Sequence, residues 1–145
     1  MKKIVAFAVA VCLIFPSSVF ACSNFILKAK DTSVVNGRSM EFPVDLKSEI
    51  VIVPAGTRFE NKDSKGDPGI NFTTKYGFLG INGFEIKDAF VDGFNEKGLS
   101  FSGLMYTGAQ YQPAVPGKFI NLENFGSWIM GNFSTVDEIK AAMAG

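Results

Sequence analysis

Short apolar runs broken by turn residues fill the chain from Asn24 to Tyr106, and apolar positions at three- and four-residue spacing follow. The first pattern predicts strands and the second predicts helices. Asn24 to Ala29 reads as a strand with Phe25 and Leu27 on one face, Lys30-Asp31-Thr32 as a turn, and Ser33 to Met40 as a returning strand. Gly37 within that strand marks a bulge or a close backbone approach. The hairpin brings Arg38 to Glu41 back toward Cys22, where its first strand begins. Glu49 to Val53 is a short strand stopped by Pro54, and residues 55–70, rich in charge, Gly and Pro, read as an exposed loop. Phe72 to Ile81 and Ala89 to Phe94 are further strands. Asn95-Glu96-Lys97-Gly98 turns the chain into a strand from Leu99 to Tyr106, and Gly108 to Gly117 is a loop. Phe125, Trp128, Ile129 and Phe133 then keep helical spacing. A second helix starts at Ser134 as N-cap, with Asp137 as its capping-box partner and Val136, Ile139 and Met143 toward the core. Strands followed by helices predict an α+β fold.

The first 21 residues follow another pattern. Lys2 and Lys3 precede an unbroken apolar run of 12 residues, Ile4 to Phe15, which Pro16-Ser17-Ser18 ends. Val19-Phe20-Ala21 completes the layout of a secretory signal, and the run is too short to span a bilayer comfortably. The expected division is a signal peptide over 1–21 and one globular domain over 22–145, in a protein exported to the periplasm or beyond the cell.

Composition sharpens this. The chain has 145 residues, 47% of them hydrophobic and 15 of them Phe, enough to build a packed core. Without Lys2 and Lys3 the remainder carries 12 basic against 14 acidic side chains. That balance, with no basic cluster, argues against nucleic acid as a partner. There is no histidine, which rules out a Cys–His pair within these residues and leaves no ligand set for zinc, so neither metal nor cofactor is expected. Of the two cysteines, Cys12 leaves with the signal, so the domain cannot close an internal disulfide.

Cleavage after Ala21 would make Cys22 the first residue, with a thiol and an α-amine on one carbon. Such an amine titrates near pH ~7.7–8.0 and can serve as the nucleophile's own general base. Arg38 and Glu41 are the charged residues that the hairpin returns to this end. A guanidinium beside a thiol favours thiolate, and a carboxylate could hold the amine. The plain alternative for Arg38 is a solvated strand residue.

Five motifs in order carry a resemblance: Ala21-Cys22-Ser23-Asn24-Phe25, Gly37-Arg38-Ser39-Met40-Glu41, Thr74-Lys75-Tyr76, Asp92 to Leu99, and Asn132-Phe133-Ser134-Thr135-Val136. Together they resemble the choloylglycine hydrolase and penicillin V acylase family, linear-amide hydrolases of the N-terminal-nucleophile superfamily, over nearly all of residues 22–145. The resemblance implies a four-layer αββα sandwich, incomplete in this chain, because relatives are roughly twice as long and their later active-site Asn and Arg have no counterpart here. It implies an acyl-enzyme mechanism with Cys22 as nucleophile, Arg38 as catalytic arginine and Met40 lining the acyl pocket. Glu41 stands where the family usually has Asp. Met105 falls where relatives often carry an Asn or Tyr that binds the oxyanion; its thioether donates no hydrogen bond, though its backbone N–H can. Tyr106 would replace it only if the register slipped by one. The implied substrate is a small-molecule amide: a conjugated bile salt, penicillin V or another N-acyl compound, acyl-homoserine signals included. A homo-oligomer is compatible with this reading, and no membrane partner is expected after signal cleavage. Two alternatives remain open. Val19-Phe20-Ala21-Cys22 resembles a lipobox, which would make the chain a lipoprotein anchored through Cys22, and an inactive truncated homologue would keep the fold without turnover.

Overall fold

A computed structural model describes residues 22–106 and 108–144, and the predicted signal, with Cys12, lies outside them. The described chain divides at Val44 into two compact units. The first is an antiparallel hairpin of β1 (Asn24–Lys28) and β2 (Val34–Arg38). Its turn closes through Ala29 N–H to Ser33 O at 2.9 Å and Thr32 N–H to Ala29 O at 3.1 Å, with Thr32 at a φ of 70°. A left-handed third residue is the usual close of a three-residue hairpin loop. Asp31 accepts from both the backbone N–H and the hydroxyl of Ser33. The Ser33 hydroxyl, then its N–H, hold the Asp31 carboxyl below its ordinary range. These local contacts set the register, in which Asn24 faces Arg38 and Phe25 faces Gly37. The Phe25 ring lies where a Cβ on residue 37 would be. Gly37 is therefore a close approach rather than a bulge. None of residues 22–44 is buried.

The second unit, from Asp45, is built on a four-stranded antiparallel sheet in the order β3 (Ile50–Val53), β6 (Phe78–Gly83), β7 (Ile86–Asn95), β8 (Ser100–Ser102). Strands β4 (Arg58–Phe59) and β5 (Phe72–Thr73) form a small separate ladder. Helix α1 (Leu122–Asn132) packs against β7 and β8 and carries the inner sheet face, and α2 (Val136–Met143) follows. Alternation along the strands explains the core. Val51 and Val53 point inward with Phe78 and Phe90, and Met130 of α1 is fully enclosed among them. Ile50 and Ile52, on the opposite face of β3, are 72% and 77% exposed. At Gly93, φ is 154°, and a Cβ would strike the Leu79 carbonyl oxygen and stand 2.8 Å from Met130 Sδ. Glycine there lets α1 lie close on the sheet.

The α+β class agrees with the pattern of apolar positions, but several boundaries do not. Residues 55–70 are not simply an exposed loop: Phe59 is buried and stacks on Phe72, and Asn61 is wholly enclosed. The strand expected over Phe72–Ile81 is broken in two, because Lys75 N–H and Tyr76 N–H both turn to Gly131 O at 2.7 and 3.0 Å. The strand expected to run to Tyr106 ends at Ser102. The second helix is capped by Thr135, not Ser134: Thr135 Oγ1 accepts from Glu138 N–H, while the Glu138 carboxylate reaches back to the N–H and hydroxyl of Ser134. The capping partner is thus Glu138 and not Asp137. Val136 and Met143 are exposed and Ile139 only half-buried, so that helix does not turn an apolar face into this unit's core. Among the described residues no helix is long and apolar enough to cross a membrane.

Candidate active site

The open end of the hairpin gathers four of the five residues singled out from the sequence. The paired residues Asn24–Arg38 and Phe25–Gly37 fix the register. Continued by one step, it sets Ser23 opposite Ser39. Side chains alternate between faces, so Asn24 and Arg38 share one face, and the next pair, Ser23 and Ser39, turns to the other.

Cys22 is a half-buried free thiol. Its Sγ donates to the backbone carbonyl of Glu41 at 3.7 Å. Arg38 is half-buried, with its Nε shut off from solvent, and Met40 is half-buried as well. The Glu41 side chain goes elsewhere: its Oε2 accepts from the hydroxyl of Ser39 at 3.0 Å. Glu41 therefore meets Cys22 through its backbone and Ser39 through its carboxylate. In the full-length chain the Cys22 nitrogen is bonded to Ala21, so an α-amine for that carboxylate to hold exists only after a cut.

Ser39 stands between the arginine and the methionine of the Gly37–Glu41 motif. It grips both backbone groups of the residue after Cys22. Its N–H donates to Ser23 O at 3.0 Å, and its Oγ accepts from Ser23 N–H at 3.1 Å. Two serines facing each other across a hairpin whose turn is readable were the signal available for this pair.

Met105 belongs to the second unit. It lies beyond the end of β8 in the segment 103–106 and is 67% exposed, and Tyr106 beside it is 74% exposed. The other motif residues of that unit hold structure together. Asn95 Oδ1 accepts from the N–H groups of Lys97 and Leu99, and its Nδ2 donates to Met130 O and Phe133 O, so one buried amide ties the β7–β8 turn to the end of α1. Thr74 Oγ1 accepts from Thr57 N–H and donates to Pro54 O. Lys97 Nζ lies over the Tyr76 ring, 5.4 Å from its centre. Among the described residues no group of three or more His, Cys, Asp or Glu could hold a metal ion.

Cysteine, arginine and a carboxylate residue thus come to one end of the hairpin. Residues 22–145 match the family described as linear amide C-N hydrolases, choloylglycine hydrolase family, and the chain belongs to it. It is 32% identical over 126 residues to the bile salt hydrolase/transferase of Clostridium perfringens (strain 13 / Type A). The shared stretch is 84% of this chain and 37% of that relative, so the chain spans little more than a third of the relative's length.

Proposed function

We propose that the chain provides the nucleophilic part of an exported cysteine amidase, with Cys22 exposed as an N-terminal nucleophile by removal of residues 1–21. The observation that carries this reading is the convergence of Cys22, Arg38 and Glu41 at one end of the hairpin, with the thiol 3.7 Å from the Glu41 carbonyl. Within it, the freed α-amine takes the thiol proton, and sulfur attacks the amide carbonyl carbon. Arg38 stabilises negative charge beside the sulfur. The C–N bond breaks as the amine leaves with the proton, and water then cleaves the thioester, releasing the acid and restoring the thiol. Met40 lines the acyl side, and Glu41 orients the amine once the cut has made one. The family and the named relative favour a conjugated bile salt as substrate, with penicillin V and other N-acyl compounds next. The αββα sandwich is part of the same reading.

The test is expression of the full-length protein with its leader, followed by intact mass, N-terminal sequencing and hydrolysis of a glycine-conjugated bile salt and penicillin V. A chain beginning with unmodified Cys22 that hydrolyses one of them, and loses turnover in Cys22→Ala, is the expected result. Turnover in Cys22→Ala, or a diacylglyceryl mass on Cys22, overturns it; the latter establishes the lipoprotein.

A further inference from the structure

In a regular antiparallel ladder, residues facing each other as a hydrogen-bonded pair exchange two backbone bonds. At Ser23 and Ser39 only one of these is backbone to backbone, from Ser39 N–H to Ser23 O at 3.0 Å. For the other, the Ser39 hydroxyl stands in for its carbonyl and accepts from Ser23 N–H at 3.1 Å. The substitution coincides with the end of β2 at Arg38. Beyond it the chain leaves the ladder, and the Glu41 carbonyl comes to the Cys22 thiol.

The same hydroxyl gives its proton to Glu41 Oε2 at 3.0 Å. Ser23 N–H, Ser39 Oγ–H and the Glu41 carboxylate thus form one directed chain. A hydroxyl that donates to a carboxylate is a stronger acceptor in turn, and bonds to an ionised partner are roughly twice as strong as neutral ones. The chain ends on the peptide that joins Ser23 to Cys22; the plane of that peptide contains the Cys22 Cα and fixes where the atom bearing thiol and nitrogen sits, while the thiol is directed by its bond to Glu41 O. Glutamate at position 41 matters here, because its side chain reaches back two residues to the hydroxyl.

We propose that Ser39 is a positioning residue for the nucleophile: it transmits the hold of the Glu41 carboxylate to the Cys22–Ser23 peptide and so places the carbon from which the Cys22 thiol projects. This rests on the reading of Cys22 as nucleophile. The Ser39 hydrogen bonds go to Ser23 and Glu41, so it acts on the nucleophile through other groups. Its loss misdirects the attacking sulfur rather than weakening substrate binding.

The test compares Ser39→Ala, Ser39→Thr, Glu41→Gln and the Ser39→Ala/Glu41→Gln double variant with wild type in the full-length protein processed to Cys22, with Cys22→Ala as control. Ser39→Ala is expected to lower kcat by roughly 10- to 100-fold, the scale of a misplaced reacting group, with KM within about 3-fold. Ser39→Thr, which keeps the hydroxyl, should recover most of the loss. The double variant should fall no further than the worse single one, because the two residues act through one chain. Wild-type kcat in Ser39→Ala, no recovery with threonine, or multiplying losses in the double variant would overturn the proposal. A second readout needs no turnover: exchange of the Ser23 amide proton, followed by NMR. It should speed up in Ser39→Ala and also in Glu41→Gln, although Glu41 does not touch Ser23. An unchanged rate in Glu41→Gln sinks the proposal. Turnover surviving in Cys22→Ala sinks instead the reading on which it rests.

Discussion

In the hairpin, Cys22, Ser39 and Glu41 meet at the open end of a ladder with no buried residue. In the second unit, Asn61, Thr74 and Asn95 are almost wholly enclosed. Both sets of side chains are polar and both carry motif positions. They differ in what their hydrogen bonds replace. The Asn95 amide satisfies four backbone groups, two of them through fully buried bonds, so its motif codes for folding. The hairpin residues could be solvated without large cost, so their arrangement is not demanded by burial. Polar order without burial is the more informative sign of a chemical role.

The sharpest way to break this contrast is to separate activity from stability at each end. On the proposed function, Cys22→Ala should cost about 10⁴-fold or more in turnover while leaving the melting temperature within about 2 °C, since an exposed-end thiol carries little packing. A large fall in melting temperature would give the hairpin the same structural burden as the second unit. Next in size, Asn95→Ala should destabilise the protein by about 3 kcal/mol, read from the urea midpoint, because it strands buried backbone groups at both ends of the amide. A loss under about 1 kcal/mol would show that the turn and α1 are held by other contacts. Gly93→Ala should cost about 2 kcal/mol through its positive φ and the collision with Leu79.

The smallest effects belong to the exposed start of α2. Thr135→Ala should cost about 1 kcal/mol by removing the acceptor for Glu138 N–H. The Ser134 N–H, then its hydroxyl, hold the Glu138 carboxyl below its ordinary range. A carboxyl lowered in the folded state contributes stability that is fully present above its unfolded value, about 4.3, and lost as pH falls through the lower folded value. An NMR titration should place the Glu138 midpoint below that of Glu138 in the urea-unfolded chain, and coincident midpoints would dissolve the clamp. Glu138→Gln should remove this part of the acid dependence.

Much of the candidate site was legible because it is local. Lys30-Asp31-Thr32 supplies the turn chemistry, alternation supplies the faces, and together they return Arg38 to Glu41 to Cys22 over fewer than about 20 residues, the kind of closure local propensity governs. The direction of the Glu41 carboxylate was not legible. In the uncut chain it lies on the Ser39 hydroxyl, a partner set by where the chain leaves the ladder.

The sequence by itself determined that strands precede helices, the N-terminal hairpin, the absence of histidine that removes one class of base, and the family. Tertiary structure decided the rest. It buried Phe59 and Asn61 within a stretch that reads as polar loop, and Asn124 of α1 seals that burial by donating to Glu60 O and Asn61 Oδ1. It split Phe72–Ile81 by drawing two N–H groups onto Gly131 O. It started α1 at Asn121, whose side chain caps Asn124 N–H and whose own N–H donates to Asn61 Oδ1, sixty residues back along the chain. Periodicity is a property of neighbours in the chain. A buried polar group must be satisfied by whatever the fold brings beside it, and no local pattern names that partner.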